Sequence, residues 1–418
     1  MATFPYYTEP SHDTGTVTAD SSNAARSTAT SSTEGRLIID AVDKIFLLEP
    51  NKHPLVSLLT NVGKVWDGKA WKGSSLMKRT TGNPEFKGFE DFYGGRYAKV
   101  SAGIASGGTT VVVTGAGSDS GDIFTAGDIV KNARTGENVY VTSISSETLT
   151  ITRSLGATAA AAMVAGDGLY IVGNLNEENS GARNVNMTQS ASASNYTQIF
   201  KTSIAVSGTE KEANLYGGKD LPYLRAKHGT QHALDIERAF WWGEKSTDTS
   251  GTQGHPRRAT GGVLEFIETN NAYVQDQGGI LTAPDFNTFL REGFTYGDTT
   301  KYLFAGGKMI QAINEFARGQ IQMRPNEKSY GMQISEYITP FGKINIVHNP
   351  LFVEDYAGHG FLLDMECFKY VAMNNRDTKL YTNVQANDID GVIDQYMSEV
   401  GLQRIQAAKC AMIKNVEA

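Results

Sequence analysis

One stretch limits the possible folds more than any other. From Asp220 to Trp242, the residues Tyr223, Ala226, Thr230, Ala233, Ile236 and Phe240 recur at three-four spacing, which lays them on one stripe of a helix. Asp220 is a suitable N-cap, and Pro222 falls in the first turn, where its missing N–H costs nothing. Gly243 supplies the C-terminal stop. About 22 residues at 1.5 Å each make a helix roughly 33 Å long. It follows an extended polar strand, Asn195-Tyr-Thr-Gln-Ile-Phe-Lys, and a short turn, Val206-Ser-Gly-Thr-Glu, with more helical residues expected within Thr209 to Tyr216. A strut of this length in a chain with 44 glycines among 418 residues calls for surroundings of short strands and many turns.

The remainder fits that expectation. Residues Met1 to about Gly35 are rich in Ser, Thr and Ala and poor in large apolar groups. Alone they bury too little surface to offset the entropy of ordering, so neighbouring subunits are expected to hold this arm. Leu37, Ile38, Ala41, Ile45 and Leu48 have helical spacing, which Pro50 ends. His53-Pro54 leads into the apolar run Leu55, Val56, Leu58 and Leu59. From Val65 to Tyr97, aromatic residues (Trp66, Trp71, Phe86, Phe89, Phe92, Tyr93, Tyr97) alternate with polar ones between glycines. That reads as irregular extended chain whose rings need a partner surface.

Lys99 to Gly173 changes character. Short runs Thr109–Thr114, Glu137–Ser143, Thr148–Arg153 and Leu169–Val172 are separated by Gly, Asp and Ser turns, with Ser145-Ser146-Glu147 as a hairpin connection. An inserted small antiparallel β-domain or barrel is expected. Lys245 to Gly262 reads as a polar loop. Beyond it come a helix over Thr282–Tyr296 with Phe286, Phe289 and Leu290 inward, a strand Lys301–Phe304, and a helix Lys308–Arg318 using Met309, Ile310, Ile313 and Phe316. A hairpin over Tyr337–Val347 turns at Thr339-Pro340-Phe341-Gly342, a strand spans Phe361–Leu363, and Val400 to Ile413 alternates toward a closing strand pair. The fold class is α+β with a mixed sheet.

Composition narrows the function classes. A net charge of −7 argues against a chain whose main task is coating nucleic acid. With only Cys367 and Cys410 present, a disulfide scaffold is excluded, and both read as small buried hydrophobes in a reducing cytoplasm. No Lys or Arg precedes Arg26, no apolar run follows Met1, and no apolar stretch reaches the roughly 18 residues of a membrane helix. A protein made and kept, or assembled, in the cytoplasm is expected.

No catalytic constellation emerges. His228, His232 and Asp235 share one face of the long helix, but Gly229 stands where a zinc helix carries its glutamate. A polar face, solvated or pairing with a neighbour, is expected there. Gly115-Ala-Gly117 with Gly121 lacks a following helix and reads as a turn. Gly306-Gly307 lies between a strand and a helix and reads as tight packing. Asp364 and Glu366 alternate along a strand and read as its exposed polar positions. Arg257-Arg258, after His255-Pro256, either touches phosphates or an acidic neighbour or is a solvated loop. No catalytic, cofactor-binding or metal-ligating residue is assigned, and no enzyme activity or cofactor is expected.

Four segments together resemble one family. They are Asn195-Tyr-Thr-Gln-Ile-Phe with Val206-Ser-Gly-Thr-Glu; Asp235-Ile-Glu-Arg-Ala-Phe with Gly243; Phe341-Gly-Lys-Ile-Asn-Ile-Val with Asn349; and Glu399-Val-Gly-Leu-Gln. Over about Asp40 to Val416 the order of parts resembles the major capsid proteins of tailed bacteriophages, in the branch with a small β-domain inserted in the extended loop. The resemblance implies an N-terminal arm (1–36), the peripheral-domain start and extended loop (37–98 and 174–206), the inserted β-domain (99–173), the spine helix with its following loop (207–260), an axial domain (261–375) and a return to the peripheral domain (376–418). It implies a self-assembling icosahedral or prolate shell of pentamers and hexamers that encloses double-stranded DNA, with portal, decoration and separate scaffolding proteins as partners. A tail or glycan-binding module and an encapsulin-like compartment are the alternative readings.

Overall fold

A computed structural model of the chain describes residues 53–417 apart from 61–62, 67–70, 75–76, 92–94, 115–122, 184–189, 214–219, 252–253, 271, 321–323 and 326–333. The arm to Gly35, the helix Arg36–Leu48 with Pro50, the Phe92-Tyr93 pair and the Gly115–Gly121 turn lie outside the described residues, as do the side chains of Trp66, Trp71 and Phe316. The chain forms two units, and Thr202–His232 with Leu380–Tyr396 make up the described part of the first. The second contains Lys52–Lys201, Ala233–Lys379 and Met397–Ala418.

The second unit is organised by a seven-stranded mixed sheet. Its order is Tyr273–Ile280, Ala411–Glu417, Gly360–Leu363, Thr300–Ala305, Lys343–His348, Ile334–Ile338 and Arg324–Pro325. Successive side chains point to opposite faces, so each apolar run supplies two cores. Phe304, Val347, Phe361 and Met412 join one cluster, which also holds Phe240, Trp241, Phe352 and Phe368. Their neighbours Leu303, Ile346, Leu362 and Ile413 join the other, packed by Phe286, Phe289 and Leu290 of the helix Ala283–Gly293 and by Met309 and Ile313 of the helix Gly307–Gln320. A sheet covered on both faces explains why Gly360-Phe-Leu-Leu reads as a continuous apolar stretch. The hairpin turns where expected, with Thr339 N–H donating to Gly342 O at 2.9 Å and Gly342 N–H returning to Thr339 O at 3.2 Å.

Between Tyr97 and Asn174 six strands close into an antiparallel barrel, ordered Gly168–Asn174, Tyr97–Val100, Thr110–Thr114, Thr148–Thr152, Asn138–Ser145 and Asp128–Asn132. Four strands match the expected runs within two residues. Tyr97–Val100 and Asp128–Asn132 escape a sequence reading because four or five residues with lysines show too little alternation. Buried Val, Leu and Ile side chains fill the barrel. Three arginines fasten its loops. The Arg153 guanidinium pairs with Glu137 (Nε–Oε1 2.8 Å, Nη2–Oε2 2.6 Å) with both side chains buried. Arg134 grips Asp167 (2.6 and 2.9 Å) and holds its carboxyl well below the usual range. Arg183 reaches Asp128 at 2.5 Å.

Two expectations about chain path are corrected. Residues 400–413 do not form one strand pair. Gly391–Arg404 is a 14-residue strand in the five-stranded sheet with Gln198–Ser207, Phe368–Met373, Lys78–Thr81 and Lys379–Tyr381, whereas Ala411–Glu417 belongs to the seven-stranded sheet. Gln406, in the left-handed region at φ 56°, and the 3-10 turn Ala407–Lys409 redirect the chain between sheets. The 245–262 loop likewise contains a short hairpin, Ser246–Asp248 with Arg257–Ala259.

The described part of the spine helix runs Asp220–Trp242, 23 residues, and Asp220 lies within it rather than capping it. Of the expected stripe, Ile236 and Phe240 are buried, Tyr223, Thr230 and Ala233 are half-buried, and Ala226 is exposed. The buried face instead gathers His232, Leu234, Ile236, Glu237, Phe240 and Trp241 in the last three turns. Gly243 does end the helix, but its φ is not positive. A Cβ there would collide with the carbonyl oxygens of Thr260 and Ala239, so close backbone approach, not left-handed geometry, demands glycine.

Candidate functional site

Three of the four family-like segments meet at one buried junction. Asn195 is the penultimate residue of the strand Ala191–Tyr196 and is fully enclosed. Its amide nitrogen donates to Leu402 O (2.7 Å), Gly261 O (2.9 Å) and Thr260 Oγ1 (3.2 Å), and its Oδ1 accepts from Gly261 N–H (2.8 Å) and Tyr196 N–H (2.9 Å). Thr260 extends the network, accepting from Leu402 N–H (3.2 Å) and donating its own N–H to Gln198 Oε1 (3.1 Å). Thr197 Oγ1 donates to Glu399 Oε1 at 3.2 Å. Gly262 N–H reaches Gly243 O at 2.6 Å, bringing in the end of the spine helix. Arg404 Nη1 closes the group by donating to Gly262 O (2.7 Å) and Glu265 Oε2 (2.6 Å). A Cβ on Gly401 would sit 2.5 Å from Tyr196 O and 2.9 Å from the Phe86 ring. The fourth segment serves its own turn, where Asn349 Oδ1 accepts from Leu351 N–H at 3.0 Å.

The spine-helix segment Asp235-Ile-Glu-Arg-Ala-Phe carries a second buried polar group. The Glu237 carboxylate accepts from Leu55 N–H (3.0 Å), Val56 N–H (2.6 Å) and Trp241 Nε1–H (2.8 Å). Leu55 and Val56 open the short helix Pro54–Thr60, whose first N–H groups have no partner within the helix. Burial pushes the Glu237 carboxyl up to about 7, against the three donors that favour its charged form.

The individually noted residues fall as follows. His232 is buried, with Nδ1 2.9 Å from Thr202 Oγ1, so the expected solvated face is in part core. Asp235 pairs with Arg238 at 3.0 Å on the surface, and His228 is half-buried. No group of three metal-ligating side chains occurs among the described residues. Asp364 and Glu366 do not share a strand face. The strand ends at Leu363; Asp364 is buried and caps a 3-10 turn, accepting from Glu366 N–H at 3.1 Å, while Glu366 is exposed. Gly306 abuts the Ala357 backbone as tight packing requires. Cys367 and Cys410, 43 positions apart, are both buried in one core, and the neighbouring Cys410 thiol together with burial pushes the Cys367 thiol up. Arg257 is exposed and Arg258 half-buried on their short strand.

A buried lysine escaped the sequence reading. Lys301 is fully enclosed, and its Nζ donates to Gly293 O (2.6 Å), Tyr296 O (2.7 Å) and Lys409 O (2.6 Å) beside the Phe294 ring. It satisfies carbonyls at the end of the helix Ala283–Gly293 that otherwise have no partner. These polar groups tie segments far apart in the chain to one another, so the junction is a structural lock. Apolar surface is left outside it: Phe89, Ile280, Tyr296, Ile338 and Val353 are each more than half exposed. No described helix is long and apolar enough to cross a membrane.

Comparison with known proteins follows the same line. The chain is 24% identical over 351 residues, 77% of its length and 81% of the relative's, to the major capsid protein of Pseudomonas phage PaMx41. Among solved structures, it is similar to the capsid of a native GTA particle (10% identity, 94% of this chain and 100% of that one, TM-score 0.49). It is also similar to the capsid of cyanophage A-1(L) (11% identity, 93% and 99%, TM-score 0.47). The family described as SU10 major capsid protein matches residues 16–417. The chain therefore belongs to the SU10 major capsid protein family.

Proposed function

We propose that the chain assembles, through pentamers and hexamers, into an icosahedral or prolate shell around a double-stranded DNA genome. The observation that carries this reading is the family match across residues 16–417. In this reading the segment 99–173 is the inserted β-domain, 261–375 the axial domain, and 376–418 the return to the peripheral domain. The helix of 207–260 is the strut between them, and 1–36 and the extended loop (37–98, 174–206) are the arms that reach neighbours. Shell subunits need large obligate interfaces, of order 2,000 Å² or more, and the exposed Phe89, Ile280, Ile338 and Tyr296 supply apolar area that one copy alone leaves in water. A net charge of −7 suits a wall that surrounds DNA without gripping it. The role is structural rather than catalytic. Portal, decoration and separate scaffolding proteins are the expected partners, and assembly takes place in the host cytoplasm.

Light scattering with negative-stain electron microscopy on the expressed chain tests this. Closed shells, or pentamers and hexamers, are expected. A monomer that persists at high concentration, with and without a co-expressed scaffolding protein, would overturn the reading in favour of a monomeric binding module. Shells that enclose protein cargo and never nucleic acid would shift it to a compartment.

A further inference from the structure

The ribbon made by Glu85–Glu90 and Ala191–Tyr196 has two unlike faces. Phe86 and Gly88 point inward; a Cβ on Gly88 would press on Ile405 and Gln403, and Glu90 Oε1 accepts from Gln406 N–H at 2.9 Å. Glu85, Lys87 and Phe89 point outward, opposite Tyr196, Ser194 and Ser192. Phe89 is 76% exposed, more than any other large hydrophobic side chain among the described residues. An inward anchor this close-packed fixes the ribbon, and thereby holds the Phe89 ring out as a rigid knob.

The same outward face carries a hollow. Tyr196, Glu85, Pro84 and Asn83 from the ribbon, with Thr247 and Arg258 from the neighbouring hairpin, line a cavity of about 410 Å³. Lys245 fastens that hairpin to the ribbon, its Nζ donating to Ser194 Oγ at 2.6 Å and lying 5.0 Å from the Tyr196 ring centre. Among the described residues no hydrogen bond or ion pair engages the Arg258 guanidinium. A phenyl ring entering here meets an aromatic ring and a cation, both favourable partners for a π-system.

We infer that Phe89 of one copy inserts into the Tyr196–Arg258 hollow of a second copy of this chain. The inference rests on the shell reading above and names one of its contacts. Knob and hollow lie on one face but four residues apart along a strand, roughly 14 Å, so a copy cannot fill its own hollow. Each copy gives one knob and receives another. A contact of this head-to-tail kind continues around a ring until the rotation closes it.

The test is a double variant of the full chain, Phe89→Cys with Thr247→Cys, oxidised with glutathione disulfide and separated by non-reducing electrophoresis. The native thiols at Cys367 and Cys410 are buried and stay silent. A bond within one copy leaves the mass of a single chain, so only bonds between copies can raise a ladder. Covalent dimers and higher ladders are expected, at least tenfold above either single variant. Normal shells without a ladder would overturn the contact. Should the double variant not assemble, Phe89→Ala decides: its half-assembly concentration should rise at least tenfold at an unchanged melting temperature, and assembly at the wild-type concentration would refute the knob. A wild-type chain that stays monomeric would instead sink the shell reading itself.

Discussion

Glu237 sets burial against hydrogen bonding, and replacing it with glutamine decides which wins. Its carboxyl is raised from 4.5 to about 7 in the folded chain. The shift of about 2.5 units, at about 1.36 kcal/mol each, is worth about 3 kcal/mol. The sign follows from the folded value lying above the unfolded one. Between pH 4.5 and 7 the folded chain holds more protons than the unfolded chain, so this contribution is complete below pH 4.5 and is lost as pH rises through 7. Glutamine keeps the shape of the protonated acid, one carbonyl oxygen and one donor group. The stability of Glu237→Gln relative to the wild type should therefore rise by about 3 kcal/mol from pH 4.5 to above pH 7, on top of a pH-independent cost, because the amide NH2 cannot accept from Val56 N–H as the acid's second oxygen does. With an unfolding entropy of about 2.1 cal/mol/K per residue over the chain's length, that gap is about 4 °C in Tm. Thermal unfolding of the unassembled chain, followed by tryptophan fluorescence at pH 5 to 8 for both forms, measures it, because groups common to both cancel in the difference. A difference between the two forms that stays flat or falls from pH 5 to 8 would refute the reasoning. It would mean that the Leu55, Val56 and Trp241 donors stabilise the carboxylate by more than burial costs.

The remaining predictions concern the junction and the barrel. Asn195→Ala strips partners from Leu402 O and Gly261 N–H and O inside the core, and should destabilise by about 2–4 kcal/mol in chemical denaturation. Gly401→Ala forces a methyl onto the Tyr196 carbonyl and the Phe86 ring, so a loss of about 1–3 kcal/mol or insoluble expression is expected. Arg153→Met leaves the buried Glu137 carboxylate unpaired, costing about 3–5 kcal/mol; hydrogen exchange should accelerate in residues 97–174 and leave the seven-stranded sheet protected.

What the sequence disclosed depends on whether a residue's job is decided locally. The hairpin at Thr339–Gly342, the helix over 283–293 and the span of the spine helix are written in turn residues and apolar spacing, and each is found where expected. His232 is read from sequence as part of a polar helix face, and nothing singles out Glu237 or Lys301, because charge and polarity are nearly always solvated. Some partners are backbone groups far away in the chain, such as Leu55 N–H for Glu237 and Lys409 O for Lys301, and the nearer ones, such as Trp241 and Tyr296, form no pattern that announces them. Asp364 misled for a related reason: alternation with Glu366 suggested a strand face, but one side-chain cap ends the strand a residue earlier. The strand Gly391–Arg404 was legible only from Val400 onward, since its first half, Val-Ile-Asp-Gln-Tyr-Met-Ser, mixes apolar and polar residues without a period. The four family-like segments were visible as words, while the Asn195 hub that joins three of them was not.

The seven-stranded sheet also fixes a timetable for biosynthesis. Its strand Ala411–Glu417 sits between Tyr273–Ile280 and Gly360–Leu363, pairing with the first from Tyr273↔Ala411 onward. Those partners leave the ribosome well before it: 138 residues separate Tyr273 from Ala411, on the order of 10 s of elongation. Until then two strands stand with a gap between them, and both cores lack the residues that Met412 and Ile413 contribute. A nascent chain thus has no finished surface to offer its fellows, and polymerisation waits for translation to run past the strand that fills the gap.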